Sequence, residues 1–573
     1  MDKDQVANLE KVLKQSIAQH PVFSDMEPAK IMEMSQDFLK SFQTMYRDGD
    51  TPFADWTSTW LKYQNDMAKV WLNAAMQKTD EAEAVKDPRF KDEAWNEGIF
   101  PVLRQSYELT AKAMIDLADN AGLPDQKQDQ LSFYARVAAD NIAPSNYMLT
   151  NPEVLKLAKE TGGKSLIDGF QNLLSDLEKG YITTTDEDAF EVGRNLATTP
   201  GSVIFSNELI EVIQYQPMTA KVRANPILIV PPCVNKFYIF DLNERKSMIR
   251  YLLEQGQSVF TISWRNPGPE LGEYTWDDYI SKGIFEALKV TSAVSKSEDV
   301  DMLGWCNGGT MLISALSVIP DDLRTLVGSA TFLSTLIDFS DPGQVKVFMD
   351  QPQHEAYSLR LKKEKVAPGR DIANAMAMLH VNESIWNFVI SNYLMGKSPP
   401  PFDVLYWNSD TSNLPAKWYA YFVEAMYMED KLKVPGALTL LDTPVDTRNI
   451  DVPCYFLAAD GDHIVPWKGS FNATSLVSGP TEYVLTTGGH VSGTVINHPV
   501  KSRRRFWVEG ERTGDADNWL ETAKVTQGSW WPHWLDWLQE NNPGEDRAKP
   551  RTLGNRTYKP QVDAPGNYVR EKV

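Results

Sequence analysis

The sequence predicts an α/β fold, a largely parallel sheet with crossover helices that carries an inserted cap and follows an all-helical N-terminal domain. Three observations predict it. Residues 1–195 are patterned for helix, with few β-branched runs. From about residue 225, short apolar runs alternate with helical stretches, the signature of βαβ units. Between residues 338 and 445 that alternation stops, and it resumes after residue 450.

In the N-terminal domain, Ile31, Met34, Phe38, Phe42 and Met45 step by three or four and share one helix face, while Pro52, Pro88, Gly122 and Pro152 punctuate the segments. The catalytic domain, residues 196–573, starts its alternation at NPILIVPP. A helix is expected from about Asp241, then the run QSVFTISW, a helix from Trp276, and the run VDMLGW. The insertion at 338–445 is rich in Met, Trp, Tyr and Pro and reads as a cap. DVPCYFLAAD and TEYVLTTG resume the sheet, and the residues from Pro550 onward read as a polar tail lying on the surface.

Composition narrows the function. A chain of 573 residues exceeds what one core usually supports, so two or three units are expected. The formal net charge of −20 disfavours nucleic acid as a partner. Three cysteines and the absence of a basic, then apolar, start at Met1 point to a cytoplasmic setting without a disulfide framework. No stretch has the roughly 18 uninterrupted apolar residues of a membrane span. The 17 Trp read mainly as core or domain-interface residues.

The chemistry centres on VDMLGWCNGGTMLISAL, which places Cys306 between a strand and a helix, with Gly304 before it and Gly308 and Gly309 after it. Such a turn holds its central residue in strained backbone, and strand and helix approach so closely that only small flanking residues fit. It is a nucleophile elbow with cysteine in place of serine. The dipole of the following helix favours negative charge at its head. Taken alone, a glycine-flanked cysteine also reads as an inert buried thiol.

Two further features favour the nucleophile. In α/β-hydrolases the triad runs nucleophile, acid, histidine, with the last two in loops after late strands. After CYFLAAD comes GDHIVPW with Asp462, and after TEYVLTT comes GGHVSG with His490. Asp460 reads as a strand-end carboxylate, whereas Asp462 has the D-x-x-V-P setting of the acid. His463 is expected to orient or support that loop. The oxyanion is assigned to the backbone amides of Asn307, directly after the nucleophile, and Val234, in the loop after NPILIVPP. Cys233 and Cys454 read as packing residues. No HExxH, paired CxxC or clustered His indicates a metal, and no cofactor is expected.

With these residues assembled, the chain resembles the polyhydroxyalkanoate synthases of the long, single-subunit type. The likeness includes GWCNGG, DPRFKDEAW, NYMLTNPEVLK, DEDAFEVGRNLATTPGSVIF, PPCVNKFYIFDL, SWRNP, TWDDYI, WNSDTSNLP and APGNYV, from about residue 87 to 570. The family usually has a small or aliphatic residue where this chain has Asn307. The resemblance implies Cys306 as acyl-accepting thiol, His490 as base and Asp462 as its acid partner. It further implies (R)-3-hydroxyacyl-CoA as substrate, a growing polyester chain, a homodimer and attachment to polyester granules. The competing readings are an intracellular polyester depolymerase or thioesterase of the same fold, and a non-enzymatic granule-binding scaffold. For the N-terminal domain, dimer stability and granule attachment are expected, against the simpler reading of a self-contained helical bundle.

Overall fold

The computed structural model describes residues 52–76, 87–500, 502–512, 514–550 and 552–572. The amphipathic stripe from Ile31 to Met45 lies outside the described residues. The chain divides into two compact units: one takes the residues up to Glu187 together with Asn374–Pro401, and the other takes Asp188–Ala373 with Phe402–Val573.

The first unit is helical throughout its described N-terminal part, with helices at Pro52–Ala75, Phe100–Asp119, Asp125–Asn141, Pro152–Glu160 and Lys164–Lys179. The punctuation works as its chemistry demands. Pro152 opens its helix behind Asn151, whose side chain accepts the amides of Glu153 and Val154. Gly122 takes φ +66° in the turn between two helices.

Asn374–Pro401 lies inside the span read as cap, yet it is bonded into this helical unit. Asn172 Nδ2 donates to the carbonyl of Asn392 at 3.0 Å, Tyr393 Oη donates to Asp176 at 2.8 Å, and Trp386 Nε1 donates to Asn141 at 2.8 Å. At Gly169 a Cβ would stand 2.7 Å from the carbonyl carbon of Tyr393, so the helix carrying Gly169 can seat here only without a side chain.

The second unit is built on ten strands: β1 Gly201–Ser206, β2 Ile210–Tyr215, β3 Ile227–Val230, β4 Val259–Trp264, β5 Val300–Trp305, β6 Val327–Leu333, β7 Cys454–Ala459, β8 Thr481–Thr486, β9 Arg505–Val508 and β10 Lys524–Gln527. Their order is β1-β2-β4-β3-β5-β6-β7-β8-β9-β10. The stretch from β4 to β8 is parallel, flanked by antiparallel strands on both sides. Strands β2, β3, β4, β5 and β7 are buried at every position, and for the parallel β3, β4, β5 and β7 this is why the sequence shows largely apolar runs.

The helix expected from Asp241 begins at Met248, capped by the hydroxyl of Ser247, which accepts the amide of Arg250 at 2.9 Å. Residues Phe237–Phe240 form a short 3₁₀ turn instead. The helix at Trp276 is present behind a Thr275–Asp278 capping box, and it passes through a π-helical stretch at Tyr279–Phe285.

The tail after Pro550 is more than a surface covering. Val562 and its neighbours pair with β1: the amide of Val203 donates to Val562 at 2.8 Å, and the amide of Ala564 donates to Gly201 at 2.9 Å. Within β5, at the opposite end of the strand from Cys306, Asp301 is buried in contact with Arg223, Ser329 and Asn542. Its charge is paired and bonded there, so its position inside an apolar strand needs no catalytic explanation.

Candidate active site

Cys306 follows β5 directly, with φ 54° and ψ −131°, a conformation unfavourable for any residue with a side chain. Its amide donates to the carbonyl of Leu333 at 3.0 Å, and its carbonyl accepts the amides of Gly309 and Thr310, so the turn is pinned from both sides. The glycines are required by space. A Cβ on Gly304 would sit 2.5 Å from the Cα of Gly309, and one on Gly308 would meet the carbonyl group of Pro231 at 2.6 Å. The helix Asn307–Ser317 is buried at all its positions, and the half-exposed thiol stands at its head.

The loops after β7 and β8 bring Asp462 and His490 together. His490 Nδ1 is 2.7 Å from Asp462 Oδ2. The other oxygen, Oδ1, accepts the amides of Ile464 and Val465, both at 3.0 Å. Burial alone would raise the Asp462 pKa, but the charge and hydrogen bond of His490 and those two amides hold it below the usual carboxylate value. For His490, burial opposes the charged form, and the charge and hydrogen bond of Asp462, with a further contribution from Cys306, outweigh it and hold the imidazole well above its ordinary pKa. Cys306 thus acts on the imidazole that Asp462 holds.

The rejected alternatives have other occupations. Asp460 Oδ1 accepts the amide of Gly488 at 2.9 Å, stitching the acid loop to the histidine loop. His463 is exposed. Cys233 is buried in the apolar core, and burial pushes its thiol pKa well up, with a smaller push from Cys306. Cys454 lies inside β7 and is pushed up likewise by burial.

Val234 follows β3, facing the elbow loop. Among the described residues, neither the amide of Val234 nor that of Asn307 has an intramolecular acceptor, as an oxyanion pair requires. The side chain of Asn307 does more than leave its own amide unaffected. Its Oδ1 accepts the amide of Cys233 at 3.2 Å, tying the elbow to the loop that carries Val234.

Other residues beside the site were given no role from the sequence. Trp305 lies beside the imidazole, with ring centroids 5.0 Å apart, and Trp407 lies 6.1 Å beyond it. Trp530 and Trp531 donate their indole N–H groups to the carbonyls of Gly493 and Thr494 at 3.1 and 3.2 Å, fixing the loop just after His490. From the inserted segment, the π-helical stretch Phe422–Met428 brings Tyr427 near the nucleophile; burial, then the charge of Cys306, pushes its phenol pKa up. Only periodicity and aromatic content hinted at these, because each acts through tertiary contact.

Comparison with known proteins gives the family. Residues 86–252 match the family model described as the poly-beta-hydroxybutyrate polymerase (PhaC) N-terminus, and residues 226–493 match the alpha/beta hydrolase fold. The chain is 39% identical over 518 residues to a poly(3-hydroxyalkanoate) polymerase subunit PhaC of Cupriavidus necator, covering 89% of this chain and 88% of that one. The chain belongs to the poly(3-hydroxyalkanoate) polymerase family. Poly(3-hydroxyalkanoate) polymerase 1 of Ectopseudomonas oleovorans is 37% identical, over 87% of this chain and 89% of its own, and a polymerase of this family from Methylorubrum extorquens is 35% identical, over 94% and 88%. Membership explains why the likeness extends through the helical N-terminal region, which the hydrolase fold by itself does not include.

Among the described residues no group of three His, Cys, Asp or Glu side chains could hold a metal ion, and no helix is long and apolar enough to cross a membrane.

Proposed function

We infer that this chain is a polyhydroxyalkanoate synthase, an acyltransferase that polymerises (R)-3-hydroxyacyl-CoA, such as 3-hydroxybutyryl-CoA, and releases CoA. Family membership over nearly the whole chain carries the activity. The hydrogen bond of His490 to Asp462, with the influence of Cys306 on the same imidazole, supports the mechanism that follows.

His490 takes the proton of Cys306, and the thiolate attacks the carbonyl carbon of the CoA thioester. The oxyanion rests between the amides of Val234 and Asn307. As it collapses, the bond to CoA breaks and the CoA sulfur leaves with the proton from His490. The acyl group is now a thioester on Cys306, still activated. The 3-hydroxyl of the next unit or of the growing chain gives its proton to His490 and attacks that carbonyl, so one ester forms and the thiol is regenerated. Serine in this place would form a more stable oxoester and lose the driving force. The buried aromatic surroundings of Tyr427, Phe339 and Phe422 favour the alcohol over water as acceptor. The protein needs no metal or other cofactor for these steps.

We assign granule attachment and homodimerisation in the cytoplasm to the first unit. The helix Pro52–Ala75 leaves Trp60, Leu61, Trp71 and Leu72 more than half exposed, an apolar surface suited to polyester or a second copy. Purified protein given 3-hydroxybutyryl-CoA tests the assignment: a synthase yields CoA and insoluble polyester, a thioesterase yields CoA and free acid, and a scaffold yields neither.

A further inference from the structure

The loop that carries Val234 is fastened by a buried ion pair, Lys236 with Asp410, neither of which has a role in the catalytic assignment above. Lys236 Nζ lies 2.7 Å from Asp410 Oδ1, and both side chains are 4% exposed. Both groups have further partners, and Lys572 Nζ stands 3.7 Å from the same Asp410 oxygen, from an exposed position. Tyr238 Oη donates to Asp410 Oδ2 at 3.0 Å, and Lys236 donates a second hydrogen bond, to the carbonyl of Glu571, at 2.7 Å. The same short stretch of the inserted segment holds the loop's backbone. Ser412 donates its amide to the carbonyl of Val234 at 3.2 Å, Asn235 bridges to Thr411, and Trp407 Nε1 donates to the carbonyl of Lys236 at 2.8 Å.

Burying two charges costs several kcal/mol per ion before attraction returns it, and an apolar pair of the same volume often stabilises a protein as well or better. Stability alone therefore gives a weak reason for an ion pair here. Direction gives a better one. The carbonyl of Val234 is held by Ser412, two residues beyond Asp410, and the preceding amide of Cys233 is held by Asn307. These bonds hold the Pro232–Cys233 and Val234–Asn235 peptides, one on either side of the Cys233–Val234 peptide whose N–H has no acceptor among the described residues. Trp407, which holds Lys236, also lies against Trp305 beside His490.

We propose that Lys236 and Asp410 are positioning residues for acyl transfer: the ion pair locks the loop so that the Val234 amide meets the oxyanion, and it makes that lock depend on the inserted segment. This rests on the oxyanion reading above.

The test uses the full chain with K236M, D410N and the double variant K236M/D410L, which removes both charges at once. Loss of one oxyanion donor costs about 10²–10³-fold in rate. Each single variant is expected to lower kcat for CoA release by about 10²-fold, with KM changed less than about threefold. The double variant is expected to recover the melting temperature but not kcat, and K236R to regain part of the rate. Alkylation of Cys306 by iodoacetamide needs the thiol and His490 but no oxyanion donor, so it should proceed at the unaltered rate in every variant. Unaltered kcat in the single variants, or kcat recovered together with melting temperature in the double variant, overturns the proposal. If instead the unaltered protein resists alkylation at Cys306 and C306A still turns over, the nucleophile assignment itself has failed.

Discussion

Asp462 holds His490 with one carboxylate oxygen and its own loop with the other: Oδ2 lies 2.7 Å from the imidazole, and Oδ1 takes two backbone amides. The division of labour makes D462N a sharp probe. An amide side chain that kept its oxygen on the two backbone donors would turn its NH₂ toward Nδ1, forcing the tautomer whose Nε2 already carries a proton. Such an imidazole cannot take the proton of Cys306. CoA release should fall about 10²–10⁴-fold with little change in melting temperature. A loss under tenfold would show that Asp462 does not set the tautomer.

Cys306→Ala should abolish CoA release and leave the fold intact, because alanine keeps the Cβ and the φ of 54° is already supported by the hydrogen bonds of the elbow. Cys233→Ala should retain measurable turnover. It removes a buried, neutral thiol, at a cost of about 1 kcal/mol, and leaves the amide bonded to Asn307 in place. Mass spectrometry for acyl adducts and a CoA-release assay read both; equal loss would mean the roles of the two thiols are divided wrongly.

The raised pKa of His490 gives a stability signature with a definite sign. A group whose folded pKa exceeds its unfolded value stabilises fully below the unfolded value, about 6.5 for histidine, and loses that contribution as pH rises through the folded value. The melting-temperature advantage of the unaltered chain over H490Q should therefore be greatest near pH 6 and shrink toward alkaline pH. Calorimetry between those limits checks it, and an advantage that grew with pH would reverse the assignment. H490Q should also be nearly as inactive as C306A, whereas H463Q, at an exposed position, should be mild.

Much of this was legible in the sequence because the parallel core writes itself as apolar runs. Five strands and the loops holding Cys306, Val234, Asp462 and His490 could be placed from those runs and from glycine spacing. Strand β6 was missed because its small residues, Gly328, Ser329 and Ala330, dilute the pattern, although most of the strand is buried. Strands β1 and β2, whose apolar residues are interrupted by Ser202, Glu211 and Gln214, and the late β9 and β10 left too short a signal. The Lys236–Asp410 pair could not be read at all, since its partners are 174 residues apart and a lysine with an aspartate looks like ordinary surface charge. The same distance in sequence hid the allegiance of Asn374–Pro401.

That allegiance changes what removal of the N-terminal region should do. The domain boundary was expected at residue 195, but the helical unit ends at Glu187 and includes Asn374–Pro401. A chain beginning near Gly201 strips Asn392, Tyr393 and Trp386 of Thr183, Asp176 and Asn141, their hydrogen-bond partners. It also removes Thr199, which donates to the buried Asp241. Limited proteolysis of such a chain should cut first within 374–401 while the sheet stays protected. Sedimentation, CoA release and retention on polyester granules should all decline; a truncated chain matching the full one in all of these would show the region to be dispensable.

The pairing of residues 561–564 with β1 has a practical bearing on handling the protein. A sheet of ten strands would otherwise end in a row of unsatisfied amides and carbonyls, open to the same row on a neighbouring chain. The chain closes that side with its own C-terminal segment, whose Tyr568 and Asn567 amides are gripped by the buried Glu211 of β2. An affinity tag or fusion partner appended at the C-terminus pulls on this closure, and one placed at the N-terminus does not. Yield of non-aggregated protein should follow the end chosen for the tag.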